Sequence, residues 1–175
     1  MTGIINEEWR SINGYLNYQV SNIGRVRNAT TGRILKPAKN HTGYLYVVLS
    51  KNTIKKHHLI HRLVACEFID NPDSKPIVDH INHIQTDNTL NNLRWVSESQ
   101  NIMNSKKHIS ATSKYKGVSY YKSYSKWRAS ISVDRKHKCL GYFANEKEAA
   151  ASYNKAAVEH FGEYACLNEI SDDEF

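Results

Sequence analysis

The stretch VDHINHIQTDNTLNNLRWVSESQN, Val78 to Asn101, decides how this chain is read. It sets an Asp directly before a His and then spends most of its length on Asn, Asp, Thr and Gln. Apolar, strand-like segments flank the polar run, Pro76 to Val78 before it and Leu93-Arg94-Trp95-Val96 after it. Ser97-Glu98-Ser99-Gln100 has the S-x-x-Q form of a capping box, which predicts a helix beginning at Glu98. The expected unit is strand, loop, strand, helix. Asp79 ends its first strand, and Asn101 falls in the first turn of the helix expected to pack back on the hairpin. A carboxylate and an amide oxygen then converge on one hard divalent cation, Mg2+ or Mn2+. His80 points to the opposite side of the strand from Asp79. It can therefore address a water across a phosphate held by that cation. This is a geometry for one-metal phosphodiester cleavage, with His80 as general base and a backbone carbonyl across the hairpin expected to orient its ring. An unperturbed imidazole pKa of about 6.5 suits that role at neutral pH. The competing reading is plain: an Asp-His pair is more often surface than catalytic. The Asn-rich loop is accounted for in part by Asn side chains bonding backbone groups and fixing irregular loops.

The rest of the chain bounds the answer. Its 175 residues suffice for one ordinary domain or two to three small ones, and 40% hydrophobic with 23% charged residues is globular composition. No run of about 18 apolar residues occurs, and MTGIINEEWR carries neither a charged n-region nor an apolar h-region, so a soluble, intracellular (cytoplasmic) protein is expected. Cys66, Cys139 and Cys166 are far apart and odd in number, which reads as reduced, partly buried thiols rather than a disulfide framework or a zinc site. Net charge is +7, and 24 Lys and Arg are interleaved with 11 Tyr. That suits a polyanionic partner, although a merely basic soluble protein would show the same totals. Distribution sharpens the point: Thr112 to Lys138 holds eight Lys or Arg against one acid, whereas Cys139 to Phe175 holds two Lys against eight acids.

Along the chain, Glu7 to Ser50 reads as short strands and turns with basic rims, turning at Asn22 to Gly24 and again at Thr30 to Arg33. His57 to Ile69 turns helical from His61 onward, with Leu63, Val64 and Phe68 on one face, and Asn71-Pro72 stops it. Ser105 to Lys114 is small, polar and basic, a linker. From Tyr115, YKGVSYY, KWRASISV and KCLGYF are three strands. NEKEAAASYNKAAVEHFGEYA is a helix capped by Asn145, boxed by Glu148 and ended by Gly162. The expected class is α+β, with a small N-terminal hairpin region at 1–50, a ββα core at 51–108 and a linker at 109–114. A three-stranded antiparallel sheet packed on one helix at 115–170 and an acidic tail at 171–175 complete it.

Several of these segments carry resemblances. Val78-Asp79-His80, then Asn92-Leu93-Arg94-Trp95 and Gln100-Asn101, resembles the HNH (ββα-metal) nuclease motif, and HRLVACEFIDNP resembles the segment preceding it in phage homing endonucleases. The resemblance implies His80 as general base, Asn92 as the central Asn that holds the loop and the base, and Asp79 with Asn101 as metal ligands. Asn101 stands where many members carry His. Glu7 to Pro37, with W-x-x-I-x-G-Y, V-S-N-x-G-x-V-R and L-K-P, resembles a modular repeat found on the same nucleases and implies a DNA-contacting hairpin region. Arg25, Arg27 and Arg33 are its expected phosphate contacts, against the reading that they are solvated edge charges. Tyr115 to Asn168 resembles the plant Apetala-type (ethylene-response-factor) DNA-binding domain, which implies a sheet laid into the major groove. The face expected toward DNA carries Lys116, Ser119, Tyr121, Tyr124, Arg128, Ser130 and Ser132, with Arg94, Lys106, Lys107 and Lys138 as further basic contacts. With so few Arg forks, phosphate anchoring is expected to outweigh direct base readout.

The cluster His57, His58 and His61 and the His80-x-x-His83 pair could be imagined as zinc ligands, but the absence of cysteine partners and the placement of Asp and Asn argue against zinc; His61 reads as a structural group, against a role in substrate binding. Taken together, the expectation is a monomeric, metal-dependent homing endonuclease that nicks double-stranded DNA at a long site, with no membrane and no obligate protein partner. The alternative is a catalytically silent, sequence-specific DNA-binding regulator that keeps the nuclease fold.

Overall fold

A computed structural model describes residues 6–105 and 112–170, which fall into two compact units divided after Glu98. In the first unit, strands β1 (Trp9–Ile12), β2 (Tyr15–Ser21) and β3 (Val26–Asn28) form one antiparallel sheet in that order. Strands β4 (Ala38–Lys39), β5 (Leu45–Lys51) and β6 (Ile54–Leu59) form a second. Helix α1 (Ile60–Phe68) follows, and β7 (Ile77–His80) pairs with β8 (Leu93–Val96) in a two-stranded ribbon. β6 is absent from the pattern-based expectation. Its turn, Asn52-Thr53, has both residues at positive φ (49° and 66°), the twist a two-residue hairpin needs, but without the glycine that usually advertises it.

Ile12, Val20 and Val26 of the first sheet meet Val47 and Leu49 of the second, the α1 face Ile60, Leu63, Val64 and Ala65, and Val78 and Leu93 of the ribbon in one core. The N-terminal hairpins and the ribbon are thus halves of one hydrophobic body, since neither sheet alone presents enough apolar area to fold.

The second unit holds α2 (Glu98–Asn104) from its second residue on, strands β9 (Val118–Tyr121), β10 (Lys126–Val133) and β11 (Lys136–Phe143) in the order β11-β10-β9, and α3 (Glu146–Phe161) across the sheet. The Asn145 side chain accepts the Glu148 amide at 2.7 Å, and Gly162 ends α3 at φ 53°. Ala149, Ala150, Ala156 and Ala157 are all buried; their small side chains let helix and sheet approach closely. The approach is tight enough that a Cβ on Gly117 would lie 2.0 Å from the Tyr153 ring. Asn168 stitches the C-terminal segment down, accepting the Lys116 amide at 2.6 Å and exchanging two bonds with Asn154. The α+β class and the helix-backed three-stranded sheet are as expected. Lys106, Lys107, most of the linker's start and the acidic tail lie outside the described residues.

Candidate functional site

Alternation along β7 decides where its side chains go. Val78 and His80 are buried toward the core, whereas Ile77 and Asp79 face the other way and are only partly covered. Across the ribbon, Asp79 lies opposite Arg94, whose Nε donates to Asp79 Oδ2 at 3.1 Å. Both side chains are largely covered, at 10% and 15% exposure, so this is a sheltered ion pair rather than a solvated one. Arg94, expected as a DNA contact, is engaged by the carboxylate at its own register position.

His80 is 4% exposed, and its Nε2 lies 3.1 Å from Asn88 Oδ1. The ring is therefore oriented by a side-chain amide, not by the backbone carbonyl expected across the hairpin. An amide oxygen at that position can accept from the ring in its Nε2–H tautomer, which leaves the Nδ1 lone pair free. Two aromatic neighbours confine the ring: His61 at 5.1 Å between centroids, edge-on, and Tyr44 at 5.8 Å. His61 is itself buried, with its Nδ1 lacking a hydrogen-bond partner. Burial first, then the neighbouring His80 and Arg62 charges, push its pKa down to about 4. It is neutral at physiological pH and packs as a polar-edged aromatic.

The polar loop closes on itself. Asn92, 7% exposed, accepts the Ile81 amide on its backbone oxygen and the Asn82 amide on Oδ1, both at 2.9 Å, and its Nδ2 donates to Asp87 O at 2.8 Å. Asp87 accepts from Asn82 Nδ2 and from Thr89 Oγ1. Burial alone would raise the Asp87 carboxyl, but these donors hold it below the usual range. Asn92 thus staples both ends of the loop that follows His80.

Among the described residues no three His, Cys, Asp or Glu side chains gather as a metal cage. The donors in question are a carboxylate at Asp79 and an amide at Asn101, which stands on α2, half-buried, in the second unit. Each is an oxygen donor, the kind a hard divalent ion prefers and zinc favours less, and the two stand in different units. The cysteines form no pair, and Cys66 and Cys139 are exposed where partly buried thiols were expected.

The N-terminal arginines have internal partners. Arg25 forms an ion pair with Glu7, a contact that holds the Glu7 carboxyl below its usual range, and Arg27 Nε donates to Gln19 Oε1 at 2.8 Å while lying 4.1 Å over the Trp9 ring. Arg33 is exposed. In the second unit, Tyr121, Tyr124 and Tyr142 form a triangle of edge-on rings 5.0 to 5.5 Å apart on the sheet face away from α3, with Arg128 5.7 Å over Tyr121. Tyr142 was not anticipated, although its register position opposite Arg128 puts it on that face. Ser119, opposite Arg128, and Ser130 share the face, and Ser132 bonds His137 at 2.8 Å. Lys116 and Lys138 stand elsewhere. Lys116 buries its ammonium against Met103 O and Ser105 O, and Lys138 pairs with Ile131, which sets it on the helix side.

Residues 7–50 match the NUMOD4 motif, and residues 58–103 match the HNH endonuclease family. The DNA endonuclease I-HmuI of Bacillus phage SP01 is 38% identical over 98 residues, covering 55% of this chain and 56% of that protein. Two uncharacterized HNH endonucleases of Acanthamoeba polyphaga mimivirus, L245 and L247, are 38% and 41% identical over 56% and 55% of this chain, but only 29% and 25% of their own length is covered. The chain therefore spans about half, or less, of these relatives. A solved structure of the HNH homing endonuclease I-HmuI, described as binding and cleaving DNA, superposes with a TM-score of 0.55 at 29% identity over 89% of this chain and 83% of that one. These matches identify residues 58–103 as an HNH endonuclease segment preceded by a NUMOD4 motif, in the mixed α/β fold of that homing endonuclease.

Proposed function

We propose that the chain is a divalent-metal-dependent homing endonuclease that cleaves double-stranded DNA, nicking one strand at a long, loosely specified site. The observation that carries this is the His80 ring, held by the Asn88 side chain at the end of β7 beside Asp79, within a segment that matches HNH endonucleases. His80 Nδ1 takes the proton from the water that attacks phosphorus. Asp79 and Asn101 are the residues that would hold one Mg2+ or Mn2+, which supplies positive charge to the phosphate and the leaving 3′ oxygen when bound. Asn92 keeps the loop, and through it the base, in register. Arg94 balances the Asp79 carboxylate across the ribbon.

The helix-backed sheet of the second unit supports reading it as an Apetala-type module that anchors the chain through phosphates, so that weak contacts spread over two units add to a long site. On this reading the chain works as a monomer inside the cell. The Asp79–Arg94 pair is the observation that favours a second reading, a catalytically silent DNA-binding regulator in which Arg94 replaces the ion permanently.

A supercoiled-plasmid assay separates the two. Wild-type protein with Mg2+ is expected to give open circles, and EDTA to stop cutting while DNA binding persists. His80→Ala should slow cutting by roughly 10^2- to 10^4-fold. Cutting at the wild-type rate by this variant removes the base assignment, linear product from two closely timed cuts counts against nicking, and binding without any metal-dependent cutting selects the silent regulator.

A further inference from the structure

The group that orients His80 is itself held by the N-terminal motif. Asn88 is 4% exposed, and its side chain makes the 3.1 Å contact with His80 Nε2. Behind it lies the Ser21 to Gly24 turn. Gly24 has φ 80°, and a Cβ placed on it would fall 2.7 Å from Asn88 Cβ and 3.1 Å from Asn88 O, so only a residue without a side chain lets the two backbones approach. One residue pair away, the Leu90 amide donates to Asn22 O at 2.7 Å. The turn is rigid in its own right. Ser21, fully buried, accepts the Arg25 amide on its hydroxyl, and Gly24 N donates to Ser21 O. Asn22 anchors it to the chain start by accepting the Glu8 amide and donating to Asn6 O.

We propose that Asn88 is a positioning residue for His80, and that the Ser21 to Gly24 turn is the brace that keeps it in place. The NUMOD4 motif then serves the chemistry of the HNH segment directly, in addition to any contact with DNA. This rests on the nuclease reading above for its consequence, but not for its geometry. An imidazole held by one edge and flanked by aromatic rings still rotates by a half turn unless one nitrogen is named as donor. The Asn88 oxygen names Nε2, leaving Nδ1 to face the reaction. Without that acceptor, both tautomers and both ring orientations compete, and only part of the population has a base where the water sits.

The test joins a spectroscopic and a kinetic arm on the full chain. Long-range 15N–1H spectra of His80 at about pH 8, where imidazole is neutral, should show the Nε2–H tautomer in the wild type, a mixture in Asn88→Leu, and recovery of Nε2–H in Asn88→Asp. Single-turnover cleavage at saturating DNA should fall roughly 10- to 100-fold in Asn88→Leu and in Gly24→Ala, with DNA affinity measured in EDTA unchanged and with the rate partly restored in Asn88→Asp. An Nδ1–H tautomer in the wild type overturns the proposal even if no variant folds. So does wild-type cleavage by Asn88→Leu, or a loss in Gly24→Ala confined to DNA affinity. If the wild type cuts no DNA yet His80 shows the expected tautomers, the nuclease reading fails alone and the clamp stands.

Discussion

His61 shows what the candidate site costs. It sits in the core between Tyr44 and His80 with Nδ1 unbonded, and its pKa of about 4 lies well below the ordinary imidazole value. Between those two values the unfolded chain binds a proton that the folded chain refuses. Stability therefore rises with pH across this window, is fully present above about 6.5, and is lost as pH falls toward 4. A shift of this size corresponds to about 3 kcal/mol over the whole interval. Urea unfolding at about pH 7.5 and pH 5 should show the wild type markedly weaker in acid, with the difference reduced in His61→Phe, which keeps the aromatic contact and removes the titration. An unchanged pH dependence in that variant assigns the acid loss elsewhere, His58 being the other histidine whose pKa burial lowers.

At the scale of elements, local chemistry was legible wherever it was decided locally. Asn145, Glu148 and Gly162 marked both ends of α3, and the cap forms as expected. Asn145→Ala should cost about 1 kcal/mol in thermal or urea unfolding without altering the fold, because Glu148 N then loses its acceptor. The alternation of β10 likewise put Ala129 and Ile131 under α3 and Arg128 on the far face. What was hidden either lacked a local signal or depended on partners distant in sequence. β6 escaped because IKKHHL is polar and its turn lacks glycine. Asn88 escaped because nothing in the run Asp87-Asn88-Thr89-Leu90-Asn91-Asn92 separates it from its neighbours. Its role comes from Gly24 pressing on one side and His80 on the other. Spacing and resemblance single out Asp79, His80 and Asn92 as candidates, whereas the ion pair that ties Asp79 to Arg94 needed the register of the β7–β8 ribbon. Lys116 read as a surface cation, yet burial lowers its pKa and its ammonium donates hydrogen bonds to two backbone carbonyls.

Across the whole molecule, a net charge of +7 does not translate into seven cations available to a polyanion. Arg25 is held by Glu7, Arg27 by Gln19 and Trp9, Arg94 by Asp79 and Lys116 by carbonyls. Arg33 in the first unit, and Lys122 and Lys126 at the rim of the tyrosine triangle in the second, are exposed. Each phosphate contact adds about 0.9 to the slope of log affinity against log salt, so the slope counts the cations that reach DNA, whichever unit carries them. Arg33→Ala should lower it by about one contact, and Lys122→Gln with Lys126→Gln by about two, each leaving the unfolding midpoint unchanged. Arg25→Ala should do the reverse: the slope stays, and the midpoint drops as Glu7 loses its partner. Fluorescence titrations of labelled duplex at several salt concentrations in EDTA give the slope without interference from cutting. If Arg25→Ala flattens the slope as much as Arg33→Ala, the Glu7 pair opens on DNA and the N-terminal arginines are phosphate ligands after all. If the two lysine changes leave the slope untouched, the tyrosine face of the second unit is not where the chain holds its duplex.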